Sequence, residues 1–300
     1  MNAVGRLAPT PSGVLHLGNV VAFAAAWLST RAARGTLLLR VEDIDRTRSR
    51  SDIAALQRQD LEWLGLQWDR EVPMQSKRDY RPFLSSLHPR TYFCQCTRAQ
   101  VREHGGIYPG TCRHLQRESG AIRFHLESAH ITFHDQRFGT QSIDPTTFGD
   151  PVLQRRDGGW SYNLAVTADD VADGVTEVVR GADLLEYTAV QIQLIEAVGC
   201  ARLTYLHAPL ILGADKRKLS KSHGSMHIGQ LRSAGWSPRD IWRLVLPWLG
   251  ITEVDHLHEA IPYFRPDGGP LGPIQLLSSS DEGIPTPTKG IQWMTQKERS

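Results

Sequence analysis

Between residues 19 and 34 the chain carries a segment that is apolar on nearly every side when wound as a helix, with Val20, Val21, Phe23, Trp27 and Leu28 leaving no continuous wet face. The apolar run inside it, residues 20–28, is only nine residues long, too short to span a bilayer. A helix of this kind is buried against a sheet, and the flanking sequence supplies one. Residues 3–9 read as a short buried strand, residues 10–18 as a loop, and Gly35 ends the helix. Residues 36–41 form a second apolar strand that runs into Glu42-Asp-Ile-Asp45. Ser51 or Asp52 is placed to cap a second helix with Ile53, Leu56, Leu61 and Leu64 on its inner face, closed by Gly65. Strand, helix, strand, helix is the signature of an α/β fold with a parallel sheet and crossover helices.

The pattern breaks at 90–160, where three cysteines, alternating segments such as 121–126 and many turn residues predict an insertion between two halves of the α/β unit, 1–89 and 161–212. The second half is expected to contain a strand over 174–180, a helix opening on a capping box of Thr188 and Gln191 and ending near Gly199, and a strand over 203–212. A polar Lys/Ser loop at 213–224 and a helix after Ser237-Pro238 make a helical region, 213–258. From Pro262 onward, six of the 17 prolines fall within 26 residues, so 259–300 is expected to be irregular.

Composition excludes little. The chain has 300 residues, 40% hydrophobic and 22% charged, and a formal charge of +2, which does not announce a nucleic-acid partner. No signal-peptide layout opens it, and the expected location is the cytoplasm, away from any membrane, as a monomer. Three of the four cysteines lie within 19 residues, which argues for a metal site over a disulfide framework.

Two motifs carry the chemistry. The first, Pro9-Thr-Pro-Ser-Gly-Val-Leu-His16-Leu-Gly18-Asn19, joins a strand to a helix, whose N-terminal N–H groups and dipole favour phosphate. Gly18 admits a close backbone approach and His16 adds a donor. The second, Lys218-Leu-Ser-Lys221-Ser222, sets two cations three residues apart in a loop, able to gather triphosphate oxygens as charge builds on leaving pyrophosphate. Either alone is an ordinary polar loop; together, in this order on an α/β chain, they point to ATP chemistry.

The pair resembles the two signature motifs of class I aminoacyl-tRNA synthetases. Residues 6–13, 39–45 and 174–183 are similar to the glutamyl branch, and the resemblance runs from about 5 to 249. It implies a Rossmann-type parallel sheet, with ATP, accompanied by Mg²⁺, held at His16, Gly18, Asn19, Lys218 and Lys221. It further implies that L-glutamate is bound by Arg6, Ala8, Thr10, Glu42, Tyr162 and Arg180. In that assignment the two arginines face the side-chain carboxylate and Glu42 the ammonium. Two positions depart from the family pattern: Asn19 replaces a second histidine, and Val166 replaces an asparagine four residues after Tyr162.

Cys94, Cys96 and Cys112 suit tetrahedral zinc but leave one position open, for which Tyr108, His104 and His114 are candidates. Ordinary ligand chemistry favours a histidine. The string 105–113, however, closely resembles a subfamily, the glutamyl-queuosine tRNA(Asp) synthetases, whose fourth ligand is the tyrosine. Only 78 residues follow Ser222, leaving little room for an anticodon-binding domain, in keeping with that subfamily. The resemblance implies activation of glutamate without tRNA, then transfer to queuosine in the anticodon of tRNA(Asp). Competing expectations are a short glutamyl-tRNA synthetase for tRNA(Glu), a non-catalytic tRNA-binding paralogue, and an adenylyltransferase with another acceptor.

Overall fold

A computed structural model describes residues 3–127, 130–219, 227–277, 286–288 and 290–295. The N-terminal half runs β1 (Val4–Leu7), α1 (Leu17–Ala32), β2 (Thr36–Leu39), α2 (Ser51–Trp63) and β3 (Arg70–Glu71). β2 lies between β1 and β3, and all three strands are parallel. After α3 (Arg81–Ser86) come β4 (Thr91–Cys94), α4 (Arg98–Glu103), β5 (Ala121–Phe124), the hairpin β6 (Ile131–Asp135) and β7 (Gly139–Ile143), and β8 (Val152–Gln154). Then follow α5 (Tyr162–Ala172), β9 (Glu177–Gly181), α6 (Thr188–Ala197), β10 (Thr204–Ala208) and β11 (Ile211–Leu212). The C-terminal part holds α7 (Ile228–Ser233), α8 (Pro238–Val245), β12 (Ile274–Leu276) and β13 (Trp293–Thr295).

A second sheet has the order β7-β6-β10-β9, with β9, β10 and β6 parallel. The two sheets meet at β1 and β9: the Val4 N–H donates to Thr176 Oγ1 and the Thr176 N–H to Val4 O, both at 2.9 Å. The strand order therefore extends outward to both sides of the β1/β9 seam, a topological switch point. Gly5 is required there, since a Cβ would collide with Thr30 Oγ1 of α1.

α1 is covered on two sides, which is why it has no wet face. β1, β9 and β10 pack on one side, while α8 and the short 3₁₀ turns Leu246–Leu249 and His258–Tyr263 pack on the other. Trp27 meets the His258 ring edge-on at 4.8 Å and donates its N–H to Gln67 O. Trp242 donates to Leu64 O at 3.1 Å, tying α8 to the end of α2.

The structure differs from the sequence-based expectations in several places. The insertion does not keep all of 90–160 to itself: β4, β5 and β8 form an antiparallel sheet of their own, but the hairpin β6–β7 joins β10. On α2 the inner face is Ala54, Gln57, Asp60 and Leu61, whereas Leu56 is 43% exposed. Its N-cap is Arg50, not Ser51 or Asp52, and the Asp52 carboxylate pairs with the Arg50 guanidinium. The strand expected over 203–212 is interrupted at Pro209, which has no N–H for a ladder. In the proline-rich tail, β12 runs parallel to β11 and β13 antiparallel to β12, because Ile274, Leu276 and Ile291 share the core of α1.

Beneath the seam lies a buried charge cluster. Arg40 is wholly buried and pairs with Asp170 at 2.8 Å, Glu42 at 3.1 Å and Asp173 at 3.3 Å. Asp170 also accepts from Arg6 Nε at 3.2 Å, and Arg78 closes the cluster against Asp169 and Asp173. Removing one member of such a cluster leaves charge buried and unmatched. Arg40→Met is therefore expected to lower unfolding stability by about 3–5 kcal/mol in urea denaturation. A loss below about 1 kcal/mol would show that the carboxylates find other partners.

Candidate functional site

The C-terminal ends of β1, β2 and β9 open into a cavity of about 610 Å³. Its lining includes Arg6, Ala8, Thr10, His16, Gly18, Asn19, Glu42, Tyr162, Arg180 and Lys218, which are predicted site residues brought together from four parts of the chain. Lys221 lies outside the described residues.

The loop entering α1 is held from two sides. Gln57 of α2 donates its amide hydrogens to Thr10 O at 3.0 Å and Gly13 O at 2.7 Å. The Ile228 N–H at the start of α7 donates to Leu15 O at 2.9 Å. Gln57 also lines the cavity and was missed in the sequence; the signal was a polar residue on the inward stripe of α2. His16 is the N-cap of α1, and Asn19 Oδ1 accepts the His16 N–H at 3.1 Å. The residue that departs from the family pattern thus closes the helix start. A Cβ at Gly18 would sit 3.0 Å from the His16 ring, so this glycine makes room for the imidazole. Lys218 reaches the cavity and is ion-paired with Asp183.

The two arginines differ in partners. Arg6 gives Nε to Asp170 and Nη1 to Val179 O at 2.8 Å. Arg180 gives its hydrogens to neutral acceptors: Gln191 Oε1 at 2.7 Å, Thr188 Oγ1 at 2.8 Å, His207 Nε2 at 3.1 Å and Leu184 O at 3.3 Å. Thr188 and Gln191 therefore do not form the expected capping box. The N-cap of α6 is Tyr187, without a side-chain bond, because both side chains turn to Arg180. Burial pushes the Glu42 carboxyl up, against the pull of Arg40 and Arg6. A ligand ammonium would favour its charged form. Desolvation around its hydroxyl, with the Glu42 charge nearby, raises the Tyr162 phenol to about 12 although the residue is 37% exposed overall, so it stays neutral and can donate or accept.

In the insertion, the Cys94, Cys96 and Cys112 sulfurs lie within 4.8 Å of one another, close enough to hold a metal ion. Cys96 and Cys112 are 3.6 Å apart, well beyond a disulfide bond. Burial opposes ionisation of Cys112, but the Gln95 N–H and the Cys96 and Tyr108 side chains outweigh it and bring the thiol to about 7. Tyr108 is buried beside them, its hydroxyl accepting the Cys112 N–H at 2.7 Å and its ring under the Arg123 guanidinium at 3.8 Å. His104 and His114 are both exposed.

A phosphate-favouring helix start, a carboxylate and two arginines in one cavity can hold a nucleoside triphosphate beside an acidic amino acid. The family model for tRNA synthetases class I (E and Q), catalytic domain, matches residues 3–259. A glutamyl-Q tRNA(Asp) synthetase of Symbiobacterium thermophilum is 42% identical over 269 residues, covering 79% of this chain and 83% of that one. Another, from Pseudomonas putida (strain W619), is 45% identical over 231 residues, covering 74% and 78%. Among solved structures, a glutamate tRNA ligase from Elizabethkingia meningosepticum in complex with its amino acid superposes with a TM-score of 0.80. It is 25% identical, covering 93% of this chain and 68% of that one. Fold, cavity and sequence agree that the chain belongs to the class I tRNA synthetase (E and Q) family.

Proposed function

We propose that this enzyme activates L-glutamate with ATP, without requiring tRNA, and transfers the glutamyl group to queuosine in the anticodon of tRNA(Asp). The observation that carries the reading is the cavity that Arg180, bonded to neutral partners, lines together with Glu42 and the start of α1. The names of the relatives at 42–45% identity support the acceptor. In this reading 1–89 and 161–212, joined by the hairpin β6–β7, build the catalytic unit, the rest of 90–160 carries the metal, and 213–258 brings in the lysine loop.

Arg180, with help from Arg6, binds the side-chain carboxylate, which sets glutamate apart from glutamine. Glu42 and the Tyr162 hydroxyl hold the ammonium end, with Ala8 and Thr10 shaping the wall. One oxygen of the substrate's α-carboxylate attacks the α-phosphorus, the bond to the bridging oxygen of the β-phosphate breaks, and pyrophosphate leaves. His16, the α1 N–H groups around Gly18 and Asn19, and Lys218 with Lys221 stabilise the charge on those phosphates. Lys218 must leave Asp183 to do so. Mg²⁺ accompanying ATP would neutralise phosphate charge. In the second step an acceptor group of queuosine attacks the glutamyl carbonyl carbon and AMP departs.

Cys94, Cys96, Cys112 and Tyr108 fit a structural zinc ion, because three thiols and a buried phenol converge while both candidate histidines are exposed. The same reading places the enzyme in the cytoplasm, where thiols stay reduced, as a monomer. Among the described residues, no helix is long and apolar enough to cross a membrane.

The deciding experiment is glutamate-dependent exchange of labelled pyrophosphate into ATP with no tRNA present. Exchange is the expected result. Exchange that appears only when tRNA(Glu) is added would move the assignment to an enzyme charging that tRNA, and none under either condition would sink the activation reading. Lys218→Ala is expected to slow exchange by about 100-fold with little change in glutamate affinity; a rate within threefold of the parent would remove Lys218 from the mechanism. Metal analysis of protein never exposed to chelator should find roughly one zinc per chain, and Cys112→Ala should lose it. Less than a third of an equivalent in the parent protein would count against the site.

A further inference from the structure

β9 and β10 are parallel and in register, so that Arg180 lies directly opposite His207. β6 enters on the other side of β10, bringing Asp135 beside Tyr205, two residues before His207. The three side chains form a line through the sheet. Arg180 Nε is 3.1 Å from His207 Nε2, and His207 Nδ1 is 2.6 Å from Asp135 Oδ2. Both His207 and Asp135 are completely buried.

The chemistry of this line leaves one arrangement of protons. A guanidinium Nε only donates, so His207 Nε2 must present its lone pair. The ring proton then sits on Nδ1 and is donated to Asp135. Asp135 is held in turn, because its Oδ1 accepts the N–H of Phe138 at 2.9 Å and of Arg137 at 3.1 Å. Burial and the nearby Arg180 cation both disfavour a charged His207 ring, although Asp135 pulls the other way.

We propose that Asp135 and His207 are positioning residues that set the direction of the Arg180 guanidinium and hence the enzyme's selectivity for a substrate carrying a side-chain carboxylate. The pair gives Arg180 a fixed neutral acceptor and keeps Asp135 one imidazole away. An aspartate in direct contact would neutralise the guanidinium and compete with the substrate; at this remove it orients Arg180 without occupying the face that meets the cavity. The inference rests on the reading of Arg180 as the group that binds the carboxylate.

Asp135→Asn tests it sharply. The asparagine oxygen is kept where it accepts the two backbone N–H groups, so its NH₂ faces His207. The ring must then accept at Nδ1 and carry its proton on Nε2, pointing at the Arg180 Nε–H. His207→Gln is the conservative counterpart, since its oxygen can accept from Arg180 and its NH₂ can donate to Asp135. In ¹⁵N-histidine-labelled protein, the signal absent from His207→Gln identifies residue 207. The parent is expected to show a neutral ring protonated at Nδ1, and Asp135→Asn one protonated at Nε2. In pyrophosphate exchange, Asp135→Asn should raise the glutamate KM roughly 10-fold or more, with the ATP KM within about twofold. His207→Gln should stay within about fivefold of the parent for both substrates.

A parent ring protonated at Nε2, or at both nitrogens at neutral pH, overturns the relay whatever the enzyme's substrate. A switched tautomer with an unchanged glutamate KM overturns the positioning role. Equal loss for glutamate and ATP in both variants, with a lowered melting temperature, would show a purely structural pair and also overturn it. Should Asp135→Asn fail to fold, His207→Gln against His207→Leu decides: similar glutamate KM values in those two would refute the proposal. Absence of any exchange by the parent would instead refute the activation reading, leaving the ring measurement to judge the relay.

Discussion

The carboxylate of Asp170 is the constraint on which the rest of this structure hangs. It comes from α5 and accepts from Arg6 of β1 and from Arg40, just past the end of β2, so one buried anion ties the three elements that form the floor of the cavity. A single buried carboxylate between two guanidiniums would leave excess positive charge; Glu42, Asp169 and Asp173 share it, with Arg78 at the rim. Such a cluster is a poor source of net stability, because desolvation offsets much of the attraction. What it provides is geometry: no side chain in it can rotate without stranding another charge. Arg6 and Glu42 are the two members that also reach the cavity.

From this follows a division of labour between the two arginines. Arg6 is already matched by Asp170, so its charge is largely spent inside the protein. Among the described residues Arg180 meets only uncharged acceptors at bonding distance, and its field is available to a ligand. A cation held by neutral dipoles is costly to bury in an empty site, and the energy is recovered when an anion binds. Neutral partners around one arginine, beside a neighbouring cluster in which three guanidiniums meet four carboxyls, are what the proposed carboxylate site requires.

The first half of the fold was legible because local pattern and tertiary role coincide there: the strand–helix–strand periodicity, the Gly65 stop and the loop at His16 all reappear near their expected positions, although α1 ends at Ala32 with Arg34, not Gly35, in the left-handed region. Legibility failed where a side chain serves a distant partner. Thr188 and Gln191 have the spacing of a capping box, but Arg180 takes both, and no local rule anticipates that. Gln57 and Asp60 fill an inward stripe that an apolar template assigns to Leu56. The tail was expected to be irregular because proline and glycine dominate its composition, yet Ile274, Leu276 and Ile291 are enough to seat it on the core. Arg40 was visible all along as one charge closing an apolar strand; its importance depends on three aspartates more than a hundred residues away. The site residues were legible as a resemblance between motifs. Their division into matched and unmatched cations required coordinates.

α6 connects the cavity to the thiol cluster and limits how the two can influence each other. Gln191 on this helix holds Arg180. Two residues on, toward the opposite side of the helix, Gln193 accepts from Arg90 Nη2 at 2.7 Å and from the Glu127 N–H at 3.0 Å, anchoring the strands of the insertion. Inside the insertion, Asp150 gathers Tyr92, Arg113 and the Leu126 N–H, while its carbonyl takes Arg123, whose guanidinium covers the Tyr108 ring. A disturbance at the thiols can reach Gln193 along β4, from Cys94 to Arg90, or through Tyr108, Arg123 and Asp150. Even then it meets a helix whose buried face, Ala189, Val190, Ile192 and Leu194, is fixed by the core. On this architecture the direction of Arg180 is set by β9, β10 and α6 rather than by the thiol cluster.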